Sequence, residues 1–272
     1  MLGLKPSRRT FGYEIVDLAV EGHGKVQWAE WSNPKARPQP RLDDLETLAR
    51  FIEPGDFVID LGAHVGDTSL APALLAGATG LVLSLEPNPA TFAILEANAR
   101  LNEGKASIVA LNAAAMPEDR EYVFQYNDPS LINGGYQDGI SVRDHASFFK
   151  VPVRGINLAK YLLANYADRL AQLKFIKTDL EGGDYEAFKT LREIAASYMP
   201  VIQSEMFGYR SREDRRSQVT ELREMGYELL ALTGTTLEGL QKLTPKQVDA
   251  DRTFDILAIP PRYKDEFAAV GS

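Results

Sequence analysis

The pattern of hydrophobic and polar positions predicts alternating strands and helices along most of the chain. Short apolar runs bounded by turn residues alternate with longer stretches in which apolar residues recur at helical spacing. This alternation is typical of a doubly wound, mostly parallel α/β sheet with helices on both faces. The predicted strands are 57–61, 81–85, 107–111, 173–178, 201–204, 227–232 and 254–259, and the predicted helices are 42–52, 68–76, 90–101, 185–196 and 213–225.

Two segments depart from this alternation. Residues 1–40 carry apolar residues on both sides of a turn at 21–24, which predicts a β-hairpin, and prolines after residue 33, which predict a linker. The remaining residues, 41–272, are expected to form the main domain, with segment 117–172 as an insertion. Part of that insertion is rich in Gly, Asn, Asp and Ser, so 127–150 is interpreted either as a lid or as a surface loop.

Composition excludes several classes of protein. The 272 residues include 30 basic and 38 acidic side chains, and a net charge of -8 argues against nucleic acid or anionic lipid as a partner. Cysteine is absent, which excludes disulfides, thiolate zinc sites, iron–sulfur clusters and cysteine nucleophiles. The longest uncharged run, 68–85, is shorter than the roughly 20 residues of a membrane span. These features, with an N-terminus unlike a signal peptide, predict a soluble cytoplasmic protein.

The stretch 57–68 predicts a ligand-binding turn. A buried strand ends at Asp60-Leu61-Gly62, a glycine turn follows, and a helix is expected to begin with Asp67 or Thr68 as its cap. A dinucleotide fingerprint beginning at Gly62 would need glycine two and five positions later, where His64 and Asp67 stand. The arrangement therefore favours a ligand with a cationic or zwitterionic end over a pyrophosphate, although an ordinary tight turn remains an alternative.

An acidic residue at the end of the next strand strengthens this interpretation. Glu86 follows the glycine turn by about 20 positions, where a carboxylate can accept hydrogen bonds from two ribose hydroxyls. Such charge-assisted bonds contribute roughly 1.5–3 kcal/mol each before desolvation. The alternative is a solvated carboxylate at the end of a strand.

Four motifs resemble those of class I S-adenosylmethionine (SAM) dependent methyltransferases, and more narrowly those of the FkbM family. They are the glycine motif at 59–66, the acid-Pro-Asn-Pro motif at 85–89, the Lys-x-Asp-x-Glu-Gly motif within 175–184 and the acid that ends 201–205. The third motif is the most specific, and the resemblance covers residues 55–210. It implies a seven-stranded Rossmann-like sheet and SAM as the cofactor.

The resemblance also implies which residues bind the cofactor. The glycine motif would surround the methionine part of SAM, Glu86 would hold the ribose, and the residues after the third strand would lie beside the adenine. The implied cofactor-binding residues are Asp60, Gly62, Ala63, His64, Gly66, Glu86, Pro87, Asn88, Asn112 and Ala113.

The candidate catalytic residues are Asp179, Glu181 and Glu205. Residues two apart on a strand share a face, so Lys177 and Asp179 are expected to align, followed by Glu181 if the strand continues. Asp179 and Glu181 are interpreted as the general base or as groups that orient the acceptor, with Glu205 supporting them from the neighbouring strand. A structural ion-pair network, a Mg²⁺ site made of the three carboxylates, and His145 as the base are alternatives.

The predicted reaction is O-methylation of a hydroxyl on a small molecule, natural product or glycan. Cytosine-C5 methylation and radical SAM chemistry both need cysteine, and the Asp-Leu-Glu-Gly at 179–182 differs from the motif of adenine-N6 enzymes. An NAD(P)-dependent oxidoreductase, a SAM-binding module without activity and a simple interaction domain are the alternatives. The sequence predicts no oligomeric state.

Overall fold

The computed structural model describes residues 8–126, 128–132, 134–135, 149–232, 234 and 239–267. Within them the centre of the molecule is one eight-stranded sheet. From one edge to the other its strands are β13 (Leu240–Lys242), β12 (Glu228–Leu232), β14 (Phe254–Ile259), β11 (Val201–Met206), β10 (Leu173–Thr178), β3 (Phe57–Leu61), β4 (Leu81–Leu85) and β5 (Ile108–Leu111).

Five neighbouring strands, from β11 to β5, run parallel, and β14, β12 and β13 pair antiparallel at the other side. The chain extends outward from β3 through β4 to β5 and later resumes at β10, on the opposite side of β3. The order therefore reverses between β3 and β10, and such a reversal opens a crevice at the carboxyl ends of the strands. The predicted doubly wound, mostly parallel sheet is confirmed. Its eighth strand, β13, is short and largely polar, so no apolar run indicated it.

Helices cover both faces of this sheet because alternate strand residues pack into different clusters. Phe57, Ile59 and Leu61 pack with one set of helices, and Val58 packs with the other. None of the helices in the described parts of the chain is long and apolar enough to cross a bilayer. The helices are α1 (Leu45–Leu48), α2 (Leu70–Ala76), α3 (Pro89–Arg100), α4 (Leu158–Asn165), α5 (Asp184–Tyr198), α6 (Arg212–Glu224), α7 (Pro245–Val248) and α8 (Lys264–Phe267).

The N-terminal hairpin consists of β1 (Tyr13–Val20) and β2 (Gly24–Trp31), paired antiparallel. Two asparagines, one in α3 and one just after it, hold its inner edge: the Asn98 amide bonds the backbone of Ala29, and the Asn102 amide bonds the backbone of Gln27. Side-chain amides thus take the place of a third strand. The two tryptophans of β2 are fully buried against α2 and α3, so they belong to the core.

Segment 117–172 contains more regular structure than the sequence indicated. A second sheet, in the order β6-β9-β7-β8, is formed by β6 (Ala114–Ala115), β7 (Arg120–Tyr126), β8 (Gly134–Gly135) and β9 (Phe149–Ile156). The strand β7 alternates between exposed and buried side chains, and its buried face points toward the main sheet's crevice. Most of the lid predicted at 127–150, including His145, lies outside the described residues.

Candidate active site

A cavity of about 700 Å³ lies at the carboxyl ends of β3, β4 and β10, beneath the inner face of β7. This is the crevice where the strand order reverses, and ligand cavities of comparable size are common there. The cavity is lined by these predicted site residues: Gly62, His64, Glu86, Pro87, Asn88, Asp179 and Glu181. The other predicted residues, which do not line it, are Asp60, Ala63, Gly66, Asn112, Ala113 and Glu205.

Gly62 allows the ends of β3 and β10 to approach each other. Its φ of +78° lies in the left-handed region, and a Cβ placed there would stand 1.9 Å from the Asp179 carbonyl oxygen. The backbone N–H groups of Gly62 and Ala63 both donate to the Leu85 carbonyl at 3.0 Å, which fixes the turn against β4. Only glycine satisfies both the torsion angle and the contact.

Asp60 anchors the turn from behind the cavity wall. Its Oδ2 accepts hydrogen bonds from Thr68 Oγ1 at 2.8 Å and from Ser69 Oγ at 2.6 Å. The pKa of this carboxyl is raised, because the effect of burial exceeds the opposite effect of Lys177. Lys177 Nζ lies 4.0 Å from Oδ1. These bonds also explain a correction to the sequence analysis. The helix α2 begins only at Leu70, and neither Asp67 nor Thr68 caps it.

His64 reaches into the cavity beside the turn. Its ring stacks edge-on against Trp31, with centroids 5.7 Å apart, and its Nδ1 lies 3.7 Å from Asp67 Oδ1. Burial alone would lower the pKa of His64, but the carboxylates of Asp67 and Glu86 raise it by more. The imidazole is therefore favoured in its cationic form.

Glu86 is almost completely buried, and the backbone holds both of its oxygens. Oε2 accepts from the His64 N–H and Oε1 from the Asn88 N–H, each at 2.8 Å. The pKa of Glu86 is raised, because the effect of burial exceeds the opposite effects of His64 and the Asn88 N–H. Each oxygen keeps a further lone pair, so the carboxylate can still accept from a ligand. Asn88 caps α3 through Ala90 and donates to the Leu131 carbonyl at 2.6 Å.

Asn112 and Ala113 were expected to lie beside the cofactor, but they are not part of the cavity wall. The Asn112 amide donates to the backbone carbonyls of Glu86 and Pro87, at 2.8 and 3.2 Å, and so closes the loop after β4. Ala113 is fully buried. The chain presents the next residues to the cavity instead, beginning with Ala114 and Ala115 of β6.

Lys177 and Asp179 lie together at the end of β10, as predicted. Lys177 Nζ donates to Asp179 Oδ2 at 3.2 Å, and about half of the Asp179 side chain remains exposed. The Asp179 N–H continues the sheet by donating to the Leu61 carbonyl at 3.0 Å. Burial would lower the pKa of Lys177, but Asp179 and Asp60 raise it, so the lysine stays charged.

Glu181 and Glu205 occupy different positions from those expected. The strand ends at Thr178, and Glu181 stands in a turn with φ +51°, so it does not continue the face of Asp179, although it lines the cavity. Glu205 lies behind that turn in a separate small pocket with Asp184. Its Oε2 is buried without a hydrogen-bond partner in the described structure.

The pocket behind the turn raises the pKa of two carboxyls. Burial, and then the neighbouring Asp184 and Asp179, raise the pKa of Glu205 well above its ordinary value. Burial and Asp179 likewise raise the pKa of Asp184, which the sequence analysis missed. Among the described residues, no group of three or more His, Asp or Glu side chains is arranged to hold a metal ion. The Mg²⁺ site considered above is not formed, because Glu205 is separated from the cavity.

The sequence analysis also missed the wall supplied by β7. Tyr122, Phe124 and Tyr126 alternate along this strand, are buried, and line the cavity opposite the glycine turn. Their spacing of two, Tyr-x-Phe-x-Tyr, was the signal that could have revealed them. Arg120 and Arg210 also line the cavity.

The strand order, the glycine turn after β3 and the acid after β4 define a class I methyltransferase fold. Residues 60–229 match the family described as the methyltransferase FkbM domain. The chain therefore belongs to the FkbM methyltransferase family, and SAM is its cofactor.

Relatives show more limited similarity. The chain is 28% identical over 129 residues to ribosomal RNA large subunit methyltransferase E of Sorangium cellulosum (strain So ce56), covering 47% of this chain and 58% of that one. It thus spans less than two thirds of that relative. A solved FkbM methyltransferase from Methylobacillus flagellatus KT matches with a TM-score of 0.44 and 14% identity, over 80% of this chain and 51% of that chain. A SAM-dependent O-methyltransferase from Thermotoga maritima matches with a TM-score of 0.43 and 12% identity, over 92% and 78%.

Proposed function

We propose that this protein transfers the methyl group of SAM to a hydroxyl on a small molecule, natural product or glycan. The observation that carries the proposal is that one cavity joins the glycine turn and Glu86 to Asp179. A cofactor held at the first two would present its methyl group to the third. We assign this activity to residues 41–272, and the hairpin and linker of 1–40 support the domain.

The residues around the cavity fit this cofactor. Gly62 lets the ligand approach the backbone closely, and Glu86 offers lone pairs to ribose hydroxyls. The cationic His64 is placed to pair with the carboxylate of the methionine part. These contacts match groups that the cofactor carries, namely the anionic carboxylate of the methionine part and the two neutral hydroxyls of the ribose.

SAM supplies an electrophilic methyl group and a thioether leaving group. Asp179 is assigned as the base that would accept the proton of the acceptor hydroxyl during methyl transfer. Lys177 holds this carboxylate in place, and the hydrogen bond from the Asp179 N–H to the Leu61 carbonyl fixes the backbone beneath it. Glu181 is assigned to orient the acceptor at the cavity rim. Glu205, neutral and behind the turn, supports Asp179 without contacting the acceptor.

The test has two steps. Mass spectrometry of the purified protein should detect bound SAM or S-adenosylhomocysteine, and a screen with labelled methyl donor should identify an acceptor. Asp179→Asn should then lower kcat by a factor on the order of 10² to 10⁴, while the Kd for S-adenosylhomocysteine stays within a few-fold of wild type. Asp17→Asn, an exposed change on β1, serves as the control. Near-normal turnover by Asp179→Asn would refute the assigned base.

Three alternatives make different predictions in the same assays. An NAD(P)-dependent oxidoreductase would bind NADH in preference to S-adenosylhomocysteine in calorimetry. A SAM-binding module without activity would bind the cofactor and transfer no methyl group to any acceptor. An RNA acceptor is suggested by the relative from Sorangium cellulosum, and would incorporate label into RNA. The net charge of -8 favours a small acceptor over RNA.

A further inference from the structure

Tyr126 lies in the cavity wall, and no other described residue forms a hydrogen bond with its hydroxyl. Tyr126 is 3% exposed. On the same face of β7, the Tyr122 hydroxyl donates to the Glu118 carbonyl at 3.4 Å. Buried tyrosine hydroxyls ordinarily find a partner. The cavity that the Tyr126 side chain lines offers a place for such a partner.

The position of Tyr126 relates it to Glu86. The Glu86 carboxylate acts electrostatically on the Tyr126 hydroxyl, and burial together with this carboxylate raises the pKa of Tyr126. The hydroxyl therefore stays protonated and available as a donor. The chain after Tyr126 leads to Leu131, whose carbonyl accepts the Asn88 amide, and Ile132 joins the same wall. Both Tyr126 and Glu86 thus lie at the end of the cavity where the ribose is proposed to bind.

A ribose needs both hydrogen-bond donors and hydrogen-bond acceptors as partners. Its two hydroxyls can each donate and accept, whereas a carboxylate can only accept. Each Glu86 oxygen already accepts one backbone N–H and has a lone pair left to accept a hydrogen bond from the ribose. The carboxylate provides no donor, however, for a ribose oxygen that acts as an acceptor. A tyrosine hydroxyl facing the same ligand supplies that donor.

We propose that Tyr126 is a cofactor-binding residue that donates its hydroxyl to a ribose hydroxyl oxygen of SAM, opposite Glu86. The inserted segment thereby takes part in cofactor recognition in addition to covering the cavity. This inference rests on the proposed function insofar as the cavity must bind SAM.

The test compares Tyr126→Phe with Tyr227→Phe in calorimetric titrations with S-adenosylhomocysteine. Tyr126→Phe removes one hydroxyl and keeps the ring, and it should raise the Kd about three- to tenfold. Tyr227→Phe removes a buried hydroxyl that donates to the Pro200 carbonyl at 2.9 Å and lies outside the cavity, and it should leave the Kd within about twofold. The 2′-deoxy and 3′-deoxy ribose analogues of the ligand locate the bond. With the analogue that lacks the partner hydroxyl, wild type and Tyr126→Phe should bind equally.

Each other outcome is informative. An unchanged Kd for Tyr126→Phe, or an equal loss with the natural ligand and both deoxy analogues, overturns the proposal. The thermal midpoint of unliganded Tyr126→Phe should match that of wild type, because the hydroxyl has no partner to lose among the described residues. An unfolded variant would show that the hydroxyl has a structural partner, which also overturns the proposal. If wild type binds neither SAM nor S-adenosylhomocysteine, the proposed function itself fails.

Discussion

The two ends of the cavity are built in opposite ways. At the Glu86 end, backbone N–H groups hold the carboxylate, and the turn at Gly62 is fixed by two bonds to Leu85. At the Asp179 end, one buried lysine interacts with several carboxyls, and oxygens of Asp60 and Glu205 have no hydrogen-bond partner in the described structure. The first end is rigid before any ligand arrives, whereas the second depends on which carboxyls are protonated.

Burial affects carboxyls at both ends, and their partners decide the outcome. The pKa of Glu86 is raised by burial, but the cationic His64 and backbone donors oppose the shift. For Glu205 the nearby carboxyls, Asp184 first, add to the effect of burial. A ribose site needs a carboxylate that accepts hydrogen bonds. A neutral acid beside a candidate base adds no second negative charge to repel it.

The strongest test of the rigid end is Gly62→Ala. The added Cβ would collide with the Asp179 carbonyl and force an unfavourable φ, so the free energy of unfolding should fall by more than about 4 kcal/mol. Chemical denaturation measures this change. Gly77→Ala is the matched control, because Gly77 also has a positive φ, +67°, but open space at its Cβ position. Its φ of +67° and ψ of -170° lie in a region that is essentially restricted to glycine, so the control should cost about 1–3 kcal/mol. Equal losses in the two variants would contradict the steric argument.

The sequence predicts the rigid end better than the charged end. The motifs around Gly62 and Glu86 are local, since a strand that ends in a glycine turn determines where the adjacent backbone points. Strand alternation placed Lys177 and Asp179 together correctly, but it failed for Glu181, because the strand ended and the backbone turned.

Other features of the site depend on distant parts of the chain. The buried pocket around Glu205 arises where β11 meets the turn before α5, and no local pattern reports that contact. The β7 wall had the right periodicity, but only the tertiary structure shows that Tyr126 and Glu86 line the same cavity. The sequence therefore does not predict which side chains become buried or which residues from distant parts of the chain they contact.

The charged end can be tested with Glu205→Gln. The pKa of Glu205 is raised in the folded protein above its ordinary 4.5, so the folded state holds a proton that the unfolded state releases. The stability contributed by this group is complete below that ordinary value and is lost as pH rises toward the folded pKa. Glutamine cannot lose a proton, so the variant should gain on the order of 1–2 kcal/mol relative to wild type between about pH 6 and 9.

Urea unfolding across this pH range measures the effect of Glu205→Gln. Glu96→Gln is the control, because Glu96 lies on the surface of α3, paired with Arg100 at 2.9 Å. Its difference from wild type should not change with pH. If the Glu205→Gln difference were also independent of pH, Glu205 would be ionised in the folded protein and the contrast between the two ends would be wrong.

The smallest expected effect concerns a surface contact that supports the rigid end. Lys35 Nζ lies 2.5 Å from Asp128 Oδ2, and the Arg9 N–H donates to the Pro129 carbonyl at 2.8 Å. These contacts join the N-terminal extension to the loop 128–132, which supplies Ile132 to the cavity wall. Lys35→Ala should loosen this loop and raise the Kd for S-adenosylhomocysteine by about two- to threefold, in line with the small contribution of an exposed ion pair.

Lys25→Ala separates this role from a general effect of charge on the hairpin. Lys25 forms a more exposed pair with Asp17 at 2.8 Å, and neither residue lines the cavity. Its removal should leave the Kd unchanged. Because exposed charges are screened by salt, the effect of Lys35→Ala should shrink in about 1 M salt, where the Debye length is near 3 Å. Equal effects of the two lysine variants would mean that the extension acts through overall charge. A selective effect of Lys35→Ala would mean that even the rigid end depends on a contact from outside the central sheet.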